Sequence, residues 1–276
     1  MKIGIGKQAL ITGASSGIGE AYARKLASLG YDLILVARRK DLLEAIAKDL
    51  KDKFSVSVCV MPCDLAKADD MTVIEDKIRQ TDNLSVLVNN AGFGFPGAFA
   101  ECDEGKSLDM IAVHITAPTR LTKAALPGMI TRKEGYIINV ASMAAFLPSA
   151  GSVMYGATKT YLVSFSECLQ IELQNSGVNV QALCPGFTRT GFHSTEELSN
   201  IDFSYLPPFL WTSADKLVEQ SWRAAGKKQT VFIPGTIYRI AYLFRGLIAY
   251  IAKIRPSTTL TKSAETKKRD IGKNGH

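Results

Sequence analysis

Tyr155 and Lys159 stand four residues apart in a stretch with helical character. A helix places positions i and i+4 on one face, so the lysine ammonium would lie beside the phenol. An adjacent positive charge favours the phenolate and lowers the pKa of a tyrosine from its ordinary value of about 10. Such a phenol can be a general acid toward a carbonyl or a general base toward an alcohol. Because Tyr and Lys at this spacing are also typical of a solvated helix face, the pair needs support from other residues.

A glycine-rich turn, TGASSGIG at residues 12–19, follows the short apolar run at residues 9–11. It precedes a helical stretch that ends near Gly30. Between a strand and a helix, glycines let the backbone approach a pyrophosphate, and the helix N-terminus offers N–H groups. A tight turn with flexible glycines is the alternative interpretation. As a dinucleotide site, the turn would use Gly13, Ser15, Ser16, Gly17, Ile18 and Gly19.

Five motifs in this order resemble the classical short-chain dehydrogenase/reductase family. Three residues separate the first two glycines of the turn, and Ser142 lies thirteen residues before Tyr155, just after the apolar run at residues 136–140. The resemblance covers roughly residues 7–190, and we identify the chain as a member of this family. The five motifs are the glycine-rich turn, Asn89-Asn90-Ala91-Gly92, Ser142, the pair Tyr155 and Lys159, and Pro185-Gly186.

The resemblance implies a reaction in which NADPH delivers a hydride to a ketone carbon while Tyr155 protonates the developing alkoxide. Ser142 would position the carbonyl oxygen by a hydrogen bond. Lys159 would lower the pKa of Tyr155 and bind the nicotinamide ribose, and Asn89 would mainly steady the sheet. The cofactor contacts that we expect beyond the turn are Asn90, Ala91, Gly92, Tyr155, Lys159, Pro185, Gly186 and Thr188.

The end of the second predicted strand indicates which cofactor is used. Folds that prefer NAD normally place a carboxylate there for the ribose 2′-OH, whereas this chain has Arg38 and Arg39. Arginine can bind a 2′-phosphate through charge-assisted forked hydrogen bonds. We therefore expect NADP(H), with Arg38 as the better candidate and Arg39 and Ser15 assisting; two surface charges are the alternative. The resemblance also suggests that Asp64, followed by Leu65, accepts a hydrogen bond from the adenine amino group, against an ordinary helix N-cap.

His114 departs from the family pattern. The family commonly places an asparagine in the middle of the fifth helix, where it completes a proton relay through water to the lysine. Imidazole can also donate and accept hydrogen bonds, so a relay water can survive, and its pKa of about 6.5 would make activity sensitive to pH. The alternative is a buried histidine satisfied by a backbone carbonyl, with the relay altered or dispensable. The sequence leaves both interpretations open.

The segments expected to line the substrate pocket are apolar. They are residues 93–96, residues 143–147 and much of a lid expected at about residues 187–215. Loops with large apolar residues often close over a ligand. Because these segments hold no basic cluster for a phosphate or carboxylate, we expect an apolar carbonyl or alcohol substrate, such as a fatty 3-oxoacyl chain or a steroid-like ketone. The resemblance to reductases of the hydroxysteroid and 3-oxoacyl type favours the same class.

Strand-like apolar runs alternate with helical segments along the chain. Near-continuous apolar strands are typical of a parallel sheet covered on both faces, and the alternation implies a doubly wound α/β fold. We expect a single Rossmann-type domain over residues 1–235, with the catalytic residues at the carboxyl ends of the strands. The seven predicted strands are Gln8–Thr12, Asp32–Ala37, Ser55–Met61, Ser85–Asn89, Tyr136–Ala141, Asn179–Leu183 and Thr230–Ile233.

Composition limits the other possibilities. Five cysteines without paired metal spacing, several of them in apolar runs, indicate reduced thiols in a cytoplasmic compartment and no metal site. The first residues have no long apolar core, so we expect no signal peptide. Residues 253–276 carry seven basic and two acidic side chains, so the basic charge of the chain reports mainly on this tail and does not indicate nucleic-acid binding. We expect a homo-oligomer, either a dimer or a tetramer.

Residues 236–255 form a predicted amphipathic helix. Its apolar stripe is interrupted by Arg239 and Arg245, which makes it a poor membrane span. It could lie in a membrane interface, giving peripheral contact through residues 237–254, or pack on the domain or on a second subunit, which is the commoner fate. Residues 256–276 are predicted to be a flexible basic tail.

Two other functional classes stay open. A regulator or scaffold that binds NADP with little turnover is favoured only by His114, and the presence of Ser142, Tyr155 and Lys159 argues against it. A serine hydrolase built on Ser142 is disfavoured, because no nucleophile-elbow sequence surrounds that serine.

Overall fold

The structure, a computed structural model, describes residues 3–190 and 206–254. The strands in these ranges are β1 (Gln8–Thr12), β2 (Asp32–Ala37), β3 (Val58–Pro62), β4 (Leu84–Asn89), β5 (Gly135–Val140), β6 (Val178–Leu183), β7 (Thr188–Arg189), β8 (Thr212–Ser213) and β9 (Val231–Phe232). Seven of them form one sheet in the order β3-β2-β1-β4-β5-β6-β9, in which every neighbouring pair is parallel. The strand order reverses between β1 and β4, which is the position where open α/β sheets bind ligands.

Helices cover both faces of the sheet. They are α1 (Gly17–Ser28), α2 (Lys40–Phe54), α3 (Ala68–Arg79), α4 (Glu104–Ile111), α5 (Ala117–Arg132), α6 (Val153–Glu172), α7 (Ala214–Gly226), α8 (Thr236–Leu243) and α9 (Arg245–Ile254). The core on one face includes apolar residues of α1, α2 and α7, and the core on the other face includes residues of α3 and α5. The predicted doubly wound Rossmann-type fold with seven parallel strands is confirmed.

The alternation of side chains along β1 explains why the strands are continuous apolar runs. Ala9 and Ile11 point into one core, while Leu10 points into the other, and all three are fully buried. Successive strand residues face opposite sides of a sheet, so a strand covered on both sides needs an apolar residue at every position. This pattern fixes the carboxyl ends of β1, β4 and β5, where the candidate site lies.

Three local features differ from the sequence-based expectation. The third strand begins at Val58 rather than at Ser55, because Ser55 adopts a left-handed conformation (φ +58°) that ends α2. The short parallel pair β7–β8 was not predicted. The predicted C-terminal helix is two helices, α8 and α9, which meet at Phe244.

Parts of two predicted segments lie outside the described residues. These are residues 191–205 of the predicted lid and the predicted tail at residues 256–276. Across the ranges that the structure describes, none of the helices combines the length and the apolar character needed to cross a membrane.

Candidate active site

The glycine-rich turn joins β1 to the N-terminus of α1. Gly13 (φ +65°) and Gly17 (φ +61°) adopt backbone conformations that favour glycine. A Cβ at Gly19 would lie 2.3 Å from the Gly13 carbonyl oxygen, so no larger residue fits there. Ser16, the N-cap residue of α1, makes no side-chain cap hydrogen bond, and Ile18 packs against the core. A close-packed glycine turn before uncapped helical N–H groups fits a pyrophosphate.

Asn90 and Thr12 hold this turn against the end of β4. Asn90 Nδ2 donates to the carbonyl oxygens of Thr12 at 2.9 Å and Gly13 at 3.2 Å. Thr12 Oγ1 accepts the N–H groups of Asn90 and Ala91, each at 3.0 Å. Sequence reasoning assigned Asn90 and Ala91 to the cofactor but missed the positioning role of Thr12. A threonine at the end of a buried strand, directly before a glycine turn, is the signal that could have revealed it.

Arg39, rather than Arg38, reaches the glycine-rich turn. Its guanidinium group donates to Ser15 Oγ at 2.9 Å and to Ser16 Oγ at 2.8 Å. Arg38 is exposed and has no comparable contact within the described ranges. This differs from the expectation that Arg38 is the better candidate. The reason is local: Arg39 is the residue before α2 and has an extended backbone, from which its side chain reaches the turn.

Asp64 follows β3 and does not cap a helix. Its Oδ1 accepts the N–H of Ala66 at 3.1 Å, and its own N–H donates to Asp70 Oδ2 at 2.6 Å. The N-cap residue of α3 is Lys67, so the N-cap alternative for Asp64 is wrong. The side chain of Leu65 is buried in the core, which leaves only its backbone to face a ligand.

The hydroxyl of Ser142 lies close enough to the phenol of Tyr155 to affect its pKa. Ser142 follows β5, and its Oγ also accepts the N–H of Ala144 at 3.1 Å. Tyr155 lies in the first turn of α6. Burial raises the pKa of Tyr155, and the nearby Ser142 hydroxyl lowers it by a smaller amount. The expected net lowering of the pKa is therefore wrong for this structure, because desolvation outweighs the stabilisation of the phenolate.

Lys159 is buried one helical turn after Tyr155. Its Nζ donates to the Val140 carbonyl oxygen at 2.9 Å and lies 5.6 Å from the centre of the Tyr155 ring. The predicted placement of the amine beside the phenol is thus confirmed. Burial lowers the pKa of Lys159 to about 8, with an opposing effect from Cys184. The amine of Lys159 therefore loses its proton more readily than that of an ordinary lysine.

His114 is fully buried in a π-helical turn, Ala112–Thr116, between α4 and α5. The Phe93 N–H donates to His114 Nε2 at 3.0 Å, so the hydrogen of the neutral ring is on Nδ1, which donates to Thr158 Oγ1 at 2.9 Å. Burial lowers the pKa of His114 well below its ordinary value, and Lys159 adds to this effect. Because both nitrogens have protein partners, the geometry favours the structural interpretation, although the partners are an amide N–H and a hydroxyl instead of a carbonyl.

Asn89 belongs to a buried chain of polar side chains. Asn89 Nδ2 donates to Asn139 Oδ1 at 2.8 Å, and Asn139 Nδ2 donates to Ser166 Oγ at 2.9 Å. These bonds tie β4 and β5 to α6, which carries Tyr155 and Lys159. The arrangement agrees with the structural role expected of Asn89.

The loop after β6 lies against the loop that carries Ser142. The carbonyl oxygen of Pro185 accepts the N–H of Met143 at 2.9 Å. Thr188 is buried at the start of β7, and its Oγ1 donates to the Gly186 carbonyl oxygen at 3.3 Å. Gly92 is exposed on the other side, where a Cβ would lie 2.8 Å from His114 Nε2 and 3.4 Å from Lys159 Nζ. The predicted cofactor residues of both loops therefore contact residues that neighbour Ser142 or Tyr155.

Tyr238 of α8 joins the C-terminal helices to this site. Its ring occupies the space beside Gly186, where a Cβ would lie only 2.0 Å from a ring atom. Its hydroxyl accepts the Phe187 N–H at 3.0 Å and donates to the Leu210 carbonyl oxygen at 2.7 Å. Tyr238 thus connects the two ends of the predicted lid. Sequence reasoning missed it, because no motif marks a contact across about fifty residues.

Aromatic rings pack beside Tyr155 and within the nearby loops. The His114 ring centre lies 5.9 Å from that of Tyr155 and 5.7 Å from that of Phe93. Three further pairs of rings pack near these loops and agree with an apolar pocket. They are Phe93–Phe95, Phe146–Tyr242 and Phe187–Trp211.

Comparison with known proteins agrees with the family resemblance of the sequence. Residues 7–200 match the family model described as short chain dehydrogenase. The chain is 35% identical over 188 residues to the human inactive hydroxysteroid dehydrogenase-like protein 1, covering 67% of this chain and 57% of that protein. It is 34% identical over 191 residues to the human very-long-chain 3-oxoacyl-CoA reductase, covering 68% and 61%.

A solved structure extends the match. The short-chain dehydrogenase from Sphingobium yanoikuyae in complex with NADPH superposes with a TM-score of 0.79 at 34% identity, covering 91% of this chain and 97% of that one. The matched segment spans about three fifths of the length of the two human relatives. The chain belongs to the classical short-chain dehydrogenase/reductase family.

Proposed function

We propose that the protein is an NADP(H)-dependent oxidoreductase that interconverts an apolar ketone and its secondary alcohol. The observation that carries the proposal is the position of the Lys159 amine 5.6 Å from the centre of the Tyr155 ring, with the Ser142 hydroxyl close to the same phenol. A hydroxyl pair of this kind can hold a carbonyl oxygen and transfer a proton to it.

Each residue of the site has a distinct part in the proposed reaction. A reduced nicotinamide, when bound, would supply the hydride for the carbonyl carbon. Ser142 holds the carbonyl oxygen, and Tyr155 donates its phenolic proton to that oxygen as negative charge develops. Lys159 is placed to stabilise the phenolate left on Tyr155 and to hold a ribose hydroxyl. His114 fixes the position of α6 rather than carrying a proton, because both of its nitrogens are engaged.

Arg39 supports the choice of NADP(H) over NAD(H). Its guanidinium group lies against Ser15 and Ser16, at the turn expected to meet the pyrophosphate and the adjacent ribose. A 2′-phosphate at this place would find a fork of donors and a positive charge. The solved relative that contains NADPH is consistent with this choice. Asp64 would hold the adenine at the neighbouring strand end.

An apolar substrate agrees with Phe93, which packs against His114, and with the loop residues Phe187 and Trp211. The name of the 3-oxoacyl-CoA reductase relative favours a fatty 3-oxoacyl compound. A steroid-like ketone is the second member of the same apolar class. We propose that the protein is a dimer or tetramer in the cytoplasm. It would contact a membrane peripherally through residues 237–254.

A substrate screen tests the proposal. Absorbance of NADPH and NADH is followed in parallel with 3-oxoacyl compounds of increasing chain length and with bulky ketones. Turnover that prefers NADPH, and that is lost in Tyr155→Phe while NADPH binding persists, is the expected result. The alternative is a weakly active NADP-binding regulator, which the name of the inactive human relative brings into consideration. Binding of NADPH without oxidation by any ketone of the panel would favour that alternative.

A further inference from the structure

Helices α8 and α9 carry an apolar surface that is not covered by any part of the described chain. We define this outer face as Ile240, Leu243, Phe244, Leu247, Tyr250 and Ile254. Leu243 is 72% exposed and Ile254 is 63% exposed, and the other four members are exposed as well. A contiguous exposed apolar patch marks a place where a protein meets a partner or a membrane.

The opposite side of α8 already has a partner. Tyr238, Ala241 and Tyr242 pack against the core cluster that contains Met143 and Ile233. Packing on the domain, one of the fates expected from the sequence, therefore accounts for the inner side of α8. It leaves the outer face unexplained.

Charge identifies the partner of the outer face. Residues 236–276 contain nine Lys or Arg and two Asp or Glu, a balance of +7, which equals the net charge of the whole chain. Residues 236–254 contain Arg239, Arg245 and Lys253 and no acidic residue. Residues 1–235 are therefore neutral overall. A second copy meeting this face would bring two strongly positive segments together, whereas an anionic lipid surface would attract both of them.

The lengths of the helices set the orientation. Helix α8 has 8 residues and α9 has 10, and the chain bends between them at Phe244. Each is about 12–15 Å long, well short of the roughly 30 Å apolar core of a bilayer. Short helices with one apolar side and basic residues lie in the plane of the headgroups. We propose that the outer face of α8 and α9 docks in this way on a membrane surface rich in anionic lipid.

Helix α8 connects this docking surface to the candidate site. Tyr238, on the inner side of α8, binds Phe187 and Leu210 at the two ends of the predicted lid. Docking of α8 would therefore tie the two ends of the predicted lid to a helix that is bound at the lipid surface. The docking itself depends on the exposed residues and charges of α8 and α9 and is independent of the proposed reaction.

Vesicle sedimentation with the full chain tests the inference. We expect binding to vesicles of phosphatidylcholine mixed with phosphatidylserine, weak binding to phosphatidylcholine alone, and loss of binding at high salt. The double change Leu243→Asp and Phe244→Asp should abolish binding. Replacing Arg239, Arg245 and Lys253 by Gln should weaken binding by about a hundredfold.

Two matched controls isolate the outer face. Val73→Asp places an acid on an exposed apolar position of α3, and Gln at Lys48, Lys51 and Lys53 removes three exposed positive charges from α2. Both controls should bind anionic vesicles like the wild type. The inference is overturned if the wild type does not bind anionic vesicles. It is also overturned if the double change Leu243→Asp and Phe244→Asp dissociates an oligomer without changing vesicle binding. NADPH oxidation in solution reports on the proposed reaction separately.

Discussion

His114 Nδ1 donates a hydrogen bond to Thr158 Oγ1 at 2.9 Å, and Thr158 Oγ1 in turn donates to the Tyr155 carbonyl oxygen at 3.0 Å. Together with the Phe93 N–H on the other ring nitrogen, these bonds connect the loop after β4 to the first turn of α6. These hydrogen bonds require a neutral imidazole, because Nε2 accepts the Phe93 N–H and therefore carries no hydrogen. His114 is therefore suited to fixing the backbone at Tyr155 and unsuited to taking up a proton.

The buried neutral state of His114 predicts how stability depends on pH. Its pKa is lowered well below the ordinary value, so between the unfolded pKa of about 6.5 and the lower folded value only the unfolded chain takes up the proton. Stability is unaffected by this group above about pH 6.5 and falls as the pH drops below it. Relative to His114→Gln, the wild type should lose about 1.4 kcal/mol of its free energy of unfolding for each pH unit below about 6.5. Urea unfolding from pH 7 to pH 5 measures the difference, and parallel curves would contradict the prediction.

His114→Asn separates the positioning role from a proton relay. If His114 only holds α6, the pH–rate profile of the variant should keep its shape while the overall rate falls through misplacement of Tyr155. An acidic limb of the wild-type profile that disappears in the variant would restore the relay interpretation.

We expect Lys159 to lower the free energy of unfolding at neutral pH. Its pKa is lowered to about 8 by burial, so the charged amine is less stable in the folded protein than in the unfolded chain. Lys159→Met should stabilise the protein by about 2 kcal/mol at pH 7, allowing for the lost hydrogen bond to Val140, while it abolishes turnover. The gain in stability of Lys159→Met over the wild type should decrease as the pH rises from about 8 to about 10.5. In this range the folded lysine has lost its proton, while the unfolded lysine still has to lose it. Urea unfolding of this variant and of Lys123→Met, which replaces an exposed lysine, gives the comparison.

Sequence patterns predicted the sheet well because they report burial directly. A strand covered on both faces must be apolar throughout, so the β1 and β2 runs could be recognised with their ends. The spacing of Tyr155 and Lys159 likewise fixed their proximity, since helical periodicity sets it. The third strand was placed too early because the left-handed turn at Ser55 has no glycine to mark it.

Quantities set by three-dimensional surroundings could not be predicted in this way. The direction of the Tyr155 pKa shift depends on how deeply the phenol is buried, which spacing does not reveal. The choice between Arg38 and Arg39 depends on the backbone at the start of α2. The contact of Tyr238 with Gly186 joins segments about fifty residues apart, and no local pattern encodes it.

Arg39 should determine cofactor preference more than Arg38. Arg39→Ala removes a charged fork at Ser15 and Ser16, and we expect the KM for NADPH to rise roughly tenfold to hundredfold with little change for NADH. Arg38→Ala is the matched control, since it removes an equal charge from the neighbouring exposed position. Initial rates with both cofactors measure the effect. A larger loss in Arg38→Ala would return the role to Arg38, as the sequence suggested.

Tyr238 should act as a positioning residue for the substrate and cofactor loops. Tyr238→Phe keeps the ring that fills the space beside Gly186 and removes only the hydroxyl that binds Phe187 and Leu210. Loss of two hydrogen bonds should loosen both ends of the lid and raise the KM for substrate about tenfold, with a much smaller change in kcat.

Tyr250→Phe is the control for Tyr238→Phe, because it removes an exposed tyrosine hydroxyl from α9 and should leave both constants unchanged. Steady-state kinetics of the two variants beside an active wild type tests the assignment. An unchanged KM in Tyr238→Phe would refute the positioning role. An equal loss of kcat and kcat/KM would instead place the Tyr238 hydroxyl in the chemical step.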